Sequence, residues 1–263
     1  MAGAEAVLGN TSDLRTRTTV GVALGAAAAV ALVLGGVAFW AFISAIALVV
    51  AGEWAGLARG GAWRTVLTVV ALGCGLLLAA PMLWSTDRAT VAAIVSLGIV
   101  VSAIVGSGML GLGVAYVGVA AVGILFLRAQ PDGVMLALWA LLIVILTDTG
   151  AYFTGRAIGG PKLAPRISPK KTWSGLGGGV AAAAIGGALI GTLAHLPGAT
   201  LWLGAPLAIT AQIGDLYESW LKREARVKDS GRLLPGHGGF LDRVDGAIPV
   251  VTIVAAMVAG GVM

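Results

Sequence analysis

Two stretches of the chain carry the residue types and spacings that could do chemistry. The first holds Asp148, Tyr152 and Arg156, then Lys162, Ser168, Lys170 and Lys171. The second starts at Asp215 and runs through Glu218, Ser219, Lys222, Arg223, Lys228 and Asp229. It continues into Gly236-His237-Gly238-Gly239 and ends with Asp242, Arg243 and Asp245. Residues four apart on a helix share a face, so Asp148, Tyr152 and Arg156 form one stripe. Asp215, Glu218, Ser219 and Lys222 form a second, and Asp242 and Asp245 open a last apolar run on a common face. Aspartates from three helix ends suit one hard cation. Mg2+ takes one or two carboxylates and leaves its other positions to water and phosphate. With one Cys and two His in the whole chain, no zinc site of the usual kind is available.

The basic residues complement those acids. A glycine-rich turn such as 236–239 can bring backbone N–H groups close to an anion. Flanked by Lys228, Arg232 and Arg243, it reads as part of a polyphosphate site. A polybasic loop gripping anionic lipid headgroups is the rival, but interleaved aspartates would weaken that attraction. Purely structural readings also exist: an Asp148–Arg156 pair closing a helix end, and carboxylates placed to suit a helix dipole. Neither GxxxxGK[ST] nor a strand–GxGxxG–helix is present, so the phosphate motifs of soluble nucleotide-binding folds are excluded. No Ser/His/Asp or Cys/His constellation supports covalent catalysis. His195, ahead of Leu196-Pro197-Gly198, is read as structural.

The elements that position these residues must lie in a membrane. Of the 263 residues 58% are apolar and only 11% charged, where soluble domains carry roughly a quarter. A helix crosses a hydrocarbon core of roughly 30 Å with about 20 apolar residues. The forty-one glycines fit close helix packing in lipid. Apolar runs predict about nine transmembrane helices, near 20–36, 38–52, 65–84, 89–105, 110–127, 133–155, 175–195, 200–218 and 245–262. The breaks at Gly35-Gly36 and near Ser107-Gly108 divide runs too long for one span. The fold class expected is therefore all-α, a polytopic integral membrane protein. It would have an N-terminal cytoplasmic tail over 1–18, scaffold helices over 19–132 and a catalytic region over 133–263 with cytoplasmic loops at 156–174 and 219–244.

Nine spans place most Lys and Arg residues on one side, and only Arg88 and Arg128 on the other. Basic residues gather on the cytoplasmic side, so the N-terminus and both basic loops are expected there and the C-terminus on the far side. Trp40, Trp54, Trp63, Trp84 and Trp173 fall near span ends and read as interfacial belt residues. Glu53, also at a span end, reads as a snorkelling interfacial carboxylate. Cys74, in an apolar run, reads as a small packing residue.

From Ser219 through Lys222-Arg223, Lys228-Asp229-Ser230-Gly231 and Leu234-Pro235-Gly236-His237-Gly238-Gly239-Phe240-Leu241-Asp242-Arg243-Val244-Asp245, the chain resembles the diagnostic stretch of the phosphatidate cytidylyltransferases, or CDP-diacylglycerol synthases. The segment from Asp148 to Arg156 and Ile167-Ser168-Pro169-Lys170-Lys171-Thr172-Trp173 resemble the same family, as does Ala51-Gly52-Glu53-Trp54 more weakly. The resemblance is strong over roughly 145–246. Where the family carries Glu after Lys-Lys-Thr-Trp, this chain has Ser174, so no acidic role is carried over there. The resemblance implies transfer from CTP to phosphatidate, giving CDP-diacylglycerol and pyrophosphate. It also implies Mg2+ (one or two ions, a monovalent cation being compatible) and a homodimer in the cell membrane.

In that reading Asp215 and Asp242 are the primary metal ligands, with Asp245 and Asp148 as further ligands or orienters. Lys222, Arg223, Lys228 and Arg243 hold the triphosphate, with Asp229 part of the catalytic stretch. Ser168, Lys170 and Lys171 help hold nucleotide or lipid phosphate, with Ser219, Tyr152, Arg156, His237, Gly238 and Gly239 completing the substrate-binding set. The attacking lipid phosphate is already anionic, so no general base is required; alignment and charge neutralisation suffice. The partners expected are the two substrates and the bilayer, with no nucleic acid. Two alternatives predict different things. A CTP-dependent lipid-alcohol kinase would need a general base and release CDP. A secondary transporter would spread polar groups about the midplane and show an inverted repeat.

Overall fold

In lipid every backbone N–H and C=O must find its partner within the protein, and helices satisfy this locally. The computed structural model describes residues 2–81, 88–231, 233 and 238–263, with side chains from residue 18 onward. Helices α1 (Ala2–Leu34), α2 (Gly36–Leu57), α3 (Gly61–Leu78), α4 (Arg88–Val105), α5 (Gly108–Ala129) and α6 (Gly133–Ile158) come first. A hairpin of β1 (Lys162–Ala164) and β2 (Ser168–Thr172) follows, then α7 (Trp173–Leu193), α8 (Thr200–Ala225), α9 (Leu241–Val244) and α10 (Ala247–Ala259). Each apolar segment expected to span therefore carries a helix.

Six of these helices, α2 to α7, are long and apolar enough to cross a membrane. The apolar part of α1 and α10 are shorter, and α8 carries the acidic stripe. Large apolar side chains such as Val66, Ile99, Ile104, Ile185 and Leu189 point outward, which suits lipid and not water. The chain is an all-α multi-pass membrane protein. Both breaks placed within long apolar runs are present. Gly35 and Gly36 adopt φ of 64° and 50°, and Gly106 adopts 64° between α4 and α5, a region that glycine enters without a Cβ penalty.

The structure departs from the expected boundaries in the polar segments. α1 reaches back to Ala2, and α8 runs past 218 to Ala225, so Ser219, Lys222 and Arg223 are helical. The loop expected over 156–174 contains the antiparallel hairpin, with Lys162 opposite Thr172 and Ala164 opposite Ser168. Trp54 is not a belt residue. It is 1% exposed, and its indole N–H donates to the Met109 carbonyl at 2.8 Å. Its ring contacts Tyr116 and Tyr217. Trp40 donates to the Leu76 carbonyl from a half-buried position, whereas Trp63 and Trp173 are exposed; Trp84 lies outside the described residues. Cys74 is exposed rather than packed inside.

α5 is the central helix, with 72% of its apolar span buried against 22% to 33% in the other five candidate spans. α6, α7 and α8 pack side by side. A Cβ on Gly150 would lie 2.7 Å from the Gly178 carbonyl oxygen, and one on Gly204 would lie 2.3 Å from that of Ala183. Backbones approach this closely only through residues without side chains. This pairing fixes α6 and α8, the two helices that carry the acidic stripes.

Candidate active site

The C-terminal ends of α2, α6 and α8 meet the hairpin, α9 and the start of α10 at one end of the bundle. The acids there divide into two clusters, each around one lysine.

The first is built on Lys171 of β2. Its ammonium lies 2.6 Å from Asp215 Oδ2 and donates to Gln212 Oε1 at 3.0 Å. Gln212, buried one turn before Asp215 on α8, donates in turn to Asp148 Oδ1 at 3.4 Å. Ser219 Oγ donates to the other Asp215 oxygen, also at 3.4 Å. Asp245 stands within electrostatic reach of Asp215, Asp148 and Lys171, and its Oδ1 accepts from the Gly246 N–H at 2.8 Å. Gly214 explains the approach: a Cβ there would sit 2.4 Å from the Asp245 carbonyl oxygen. α8 and the head of α10 therefore touch backbone to backbone, which brings Asp245 near the Asp215–Lys171 pair.

The second cluster is built on Lys222, one side of which faces Glu218 Oε2 at 2.6 Å and the other Asp242 Oδ1 at 2.7 Å. Asp242 Oδ2 accepts the N–H groups of Gly239 at 2.8 Å and Ser230 at 3.1 Å. Burial opposes ionisation of Asp242, but its close contacts with Glu218, the Lys222 ammonium and the Gly239 N–H outweigh it and hold its carboxyl below the usual range. Gly238, at φ 79°, lies between Asp242 and Asp229; a Cβ there would come 2.8 Å from Asp242 Oδ2.

The remaining site residues surround these clusters. Arg223 Nε donates to the Ile167 carbonyl at 3.2 Å and so ties α8 to the hairpin turn. Arg156 lies 3.4 Å from the Tyr152 hydroxyl, both exposed on the last turns of α6. Ser168 is half-buried on β2, and Lys170 is exposed two residues on. Lys228, Asp229 and Arg243 are exposed around the second cluster. His237 and Arg232 lie outside the described residues. At the position where resemblance would have Glu, Ser174 Oγ donates to the Gly159 carbonyl and meets Thr172 Oγ1 at 3.0 Å. It locks the hairpin to the end of α6, a structural duty.

Sequence reasoning missed two residues. Gln212 is uncharged inside an apolar run, and nothing in its neighbours marks it as the bridge between Lys171 and Asp148. Glu53 does not snorkel: it is 7% exposed and binds the segment around Ser230 and Leu241. Its place beside Trp54, in a short stretch of weak resemblance, was the available signal.

The structure thus gathers carboxylates and basic groups at one end of a multi-pass membrane bundle. The chain belongs to the Cytidylyltransferase family, whose model matches residues 15–260. It is 41% identical to a phosphatidate cytidylyltransferase of Brucella suis over 271 residues, covering 92% of each chain. A phosphatidate cytidylyltransferase of Mycobacterium leprae is 41% identical over 130 residues, 48% of this chain and 41% of that protein. The corresponding protein of Mycobacterium tuberculosis is 44% identical over 113 residues, 41% of this chain and 34% of its own.

Proposed function

We propose that the chain transfers the cytidylyl group of CTP to phosphatidate, giving CDP-diacylglycerol and pyrophosphate. The reading places the site at the cytoplasmic face of the cell membrane, in a homodimer. The observation that carries it is the pair of aspartates, Asp215 and Asp242, each holding an ammonium at ion-pair distance at the same end of a membrane bundle.

Those ammonium groups also test whether the residues fit Mg2+. Each stands where a hard cation would meet carboxylate oxygen, and Asp148 and Asp245 lie within electrostatic reach of the Lys171–Asp215 pair. Among the described residues no three acidic, His or Cys side chains are close enough to form a metal shell by themselves. Mg2+ does not need one, since it keeps waters and substrate phosphates as ligands. Asp215 would hold the ion, with Asp148 and Asp245 adding ligands or orienting water. Asp242 would join by giving up Lys222. When bound, the ion supplies charge neutralisation at the phosphate oxygens.

The chain's own groups do the rest. Lys171 and Lys222, released from their carboxylates, have ammonium groups free to meet phosphate oxygens. Lys228, Arg223 and Arg243 add positive charge for the departing pyrophosphate. The lipid phosphate attacks the α-phosphorus of CTP in line, and the bond to the bridging oxygen of pyrophosphate breaks, with no proton to remove. An apolar cavity of about 360 Å³ between α1, α2, α5, α6 and α10 reaches Val244, beside Arg243 and Asp245, and is assigned to an acyl chain. Such a chain stays in apolar surroundings because each CH2 is worth about 0.8 kcal/mol.

Purified protein given labelled CTP and phosphatidate in detergent should yield a labelled lipid and pyrophosphate only with Mg2+. Release of CDP instead would move the protein to kinase chemistry, and turnover in excess chelator would remove the metal.

A further inference from the structure

We infer that Glu53 is a positioning residue for nucleotide binding, reaching from the scaffold helices into the polar segment after α8. Its Oε1 accepts the Phe240 N–H at 3.0 Å. Its Oε2 accepts the Leu241 N–H at 2.8 Å and the Ser230 hydroxyl at 3.1 Å. One side chain thus ties together the two flanks of the segment from 231 to 239. The fit is close on both sides. A Cβ on Gly231 would meet Glu53 Oε1 at 2.2 Å, and one on Gly239 would meet Oε2 at 2.5 Å, so only glycine leaves room for the carboxylate.

Asp242 grips the same flanks by their N–H groups, at Ser230 and Gly239. Two carboxylates therefore hold one pair of strands of chain, Glu53 from α2 and Asp242 from α9. Asp242 also carries Lys222, so the position Glu53 imposes passes through one hydrogen-bonded step to the second lysine cluster. A buried carboxylate accepting three donors is not replaceable by an amide. In Glu53→Gln one acceptor becomes an NH2 group facing N–H or O–H donors, and the flanks must separate. Packing alone does not explain the residue, because an apolar side chain would leave the Phe240 and Leu241 N–H groups without partners.

The inference rests on the CTP-dependent reaction proposed above, and the test separates the two. Wild-type protein is first assayed for lipid product; no turnover there would overturn the reaction itself. With turnover established, Glu53→Gln should raise KM for CTP about tenfold, the loss of one charged hydrogen bond, with KM for phosphatidate nearly unchanged. Glu53→Asp keeps the charge but is one methylene too short to reach both flanks, and should show the same split. Ser230→Ala removes one of the three bonds without touching the buried carboxylate, and should shift KM for CTP in the same direction by less. Unchanged kinetics in Glu53→Gln would overturn the inference. Equal losses for both substrates accompanied by a fall in melting temperature, in Ser230→Ala as in the Glu53 variants, would make the residue merely structural and overturn it too.

Discussion

Lys171 and Lys222 each face an aspartate at nearly the same distance, 2.6 Å to Asp215 and 2.7 Å to Asp242, yet their surroundings differ. Lys171 pairs directly with Asp215 alone, a neutral residue, Gln212, spans the gap to Asp148, and Asp245 stands within electrostatic reach. Around Lys222 two carboxylates share the charge, and Asp242 is occupied on both oxygens by protein donors. The first cluster gathers more carboxyl groups than ammonium groups. The second spends its charge on backbone N–H groups and so fixes the chain around it. Similar ion pairs thus sit in different settings: one is bridged to a further carboxylate through a neutral amide, the other holds the backbone at Ser230 and Gly239.

The sharpest way to break this contrast is to neutralise each acid in turn. Asp215→Asn should reduce kcat by about a thousandfold or more at saturating Mg2+, and Asp242→Asn by a comparable factor, with both proteins still folded in detergent. Near-wild-type turnover of Asp215→Asn would remove the metal assignment; the same result for Asp242→Asn would reduce the second cluster to a backbone anchor. Gln212→Leu probes the bridge alone. It deprives Lys171 and Asp148 of their shared partner and should lower kcat about tenfold, read in steady-state assays. Lys228→Ala should raise KM for CTP several-fold, roughly the worth of one exposed phosphate contact, with a rate unchanged in every parameter placing it among lipid contacts. The smallest effect is expected of Arg223→Ala, whose guanidinium is partly engaged by the Ile167 carbonyl and adds to the pyrophosphate only as an exposed charge; kcat/KM should fall about threefold.

Hydropathy was enough to read the helices, because lipid leaves little choice of backbone structure. Even the breaks at Gly35-Gly36 and near Ser107-Gly108 were visible, the latter lying next to the turn at Gly106, since glycine is what a sharp reversal between apolar helices requires. The hairpin at 162–172 was hidden. Its strands are short, contain Pro169 and three lysines, and lack the alternation that marks a half-buried strand. Trp54 was misjudged because an amphipathic ring near a span end suits the interface and the core equally well; only its partner Met109 decides. The acidic stripes of α6 and α8 were legible from spacing. Their division between two lysines was not, since it depends on Gly214 admitting the backbone of Asp245 and on the register of β2. Glu53's role could not be read from its neighbours beyond the weak resemblance around Trp54, its partners being 177 to 188 residues downstream.

That separation has a temporal consequence. Helix α2 is synthesised long before Ser230 and Leu241 exist, so its carboxylate must wait within a partly assembled bundle for most of the chain's translation. Contacts this distant in sequence close late. The contacts of Ser230, Phe240 and Leu241 with α2 therefore form among the final events of biogenesis, and a ribosome-tethered intermediate ending before α9 would hold most of its membrane helices without them.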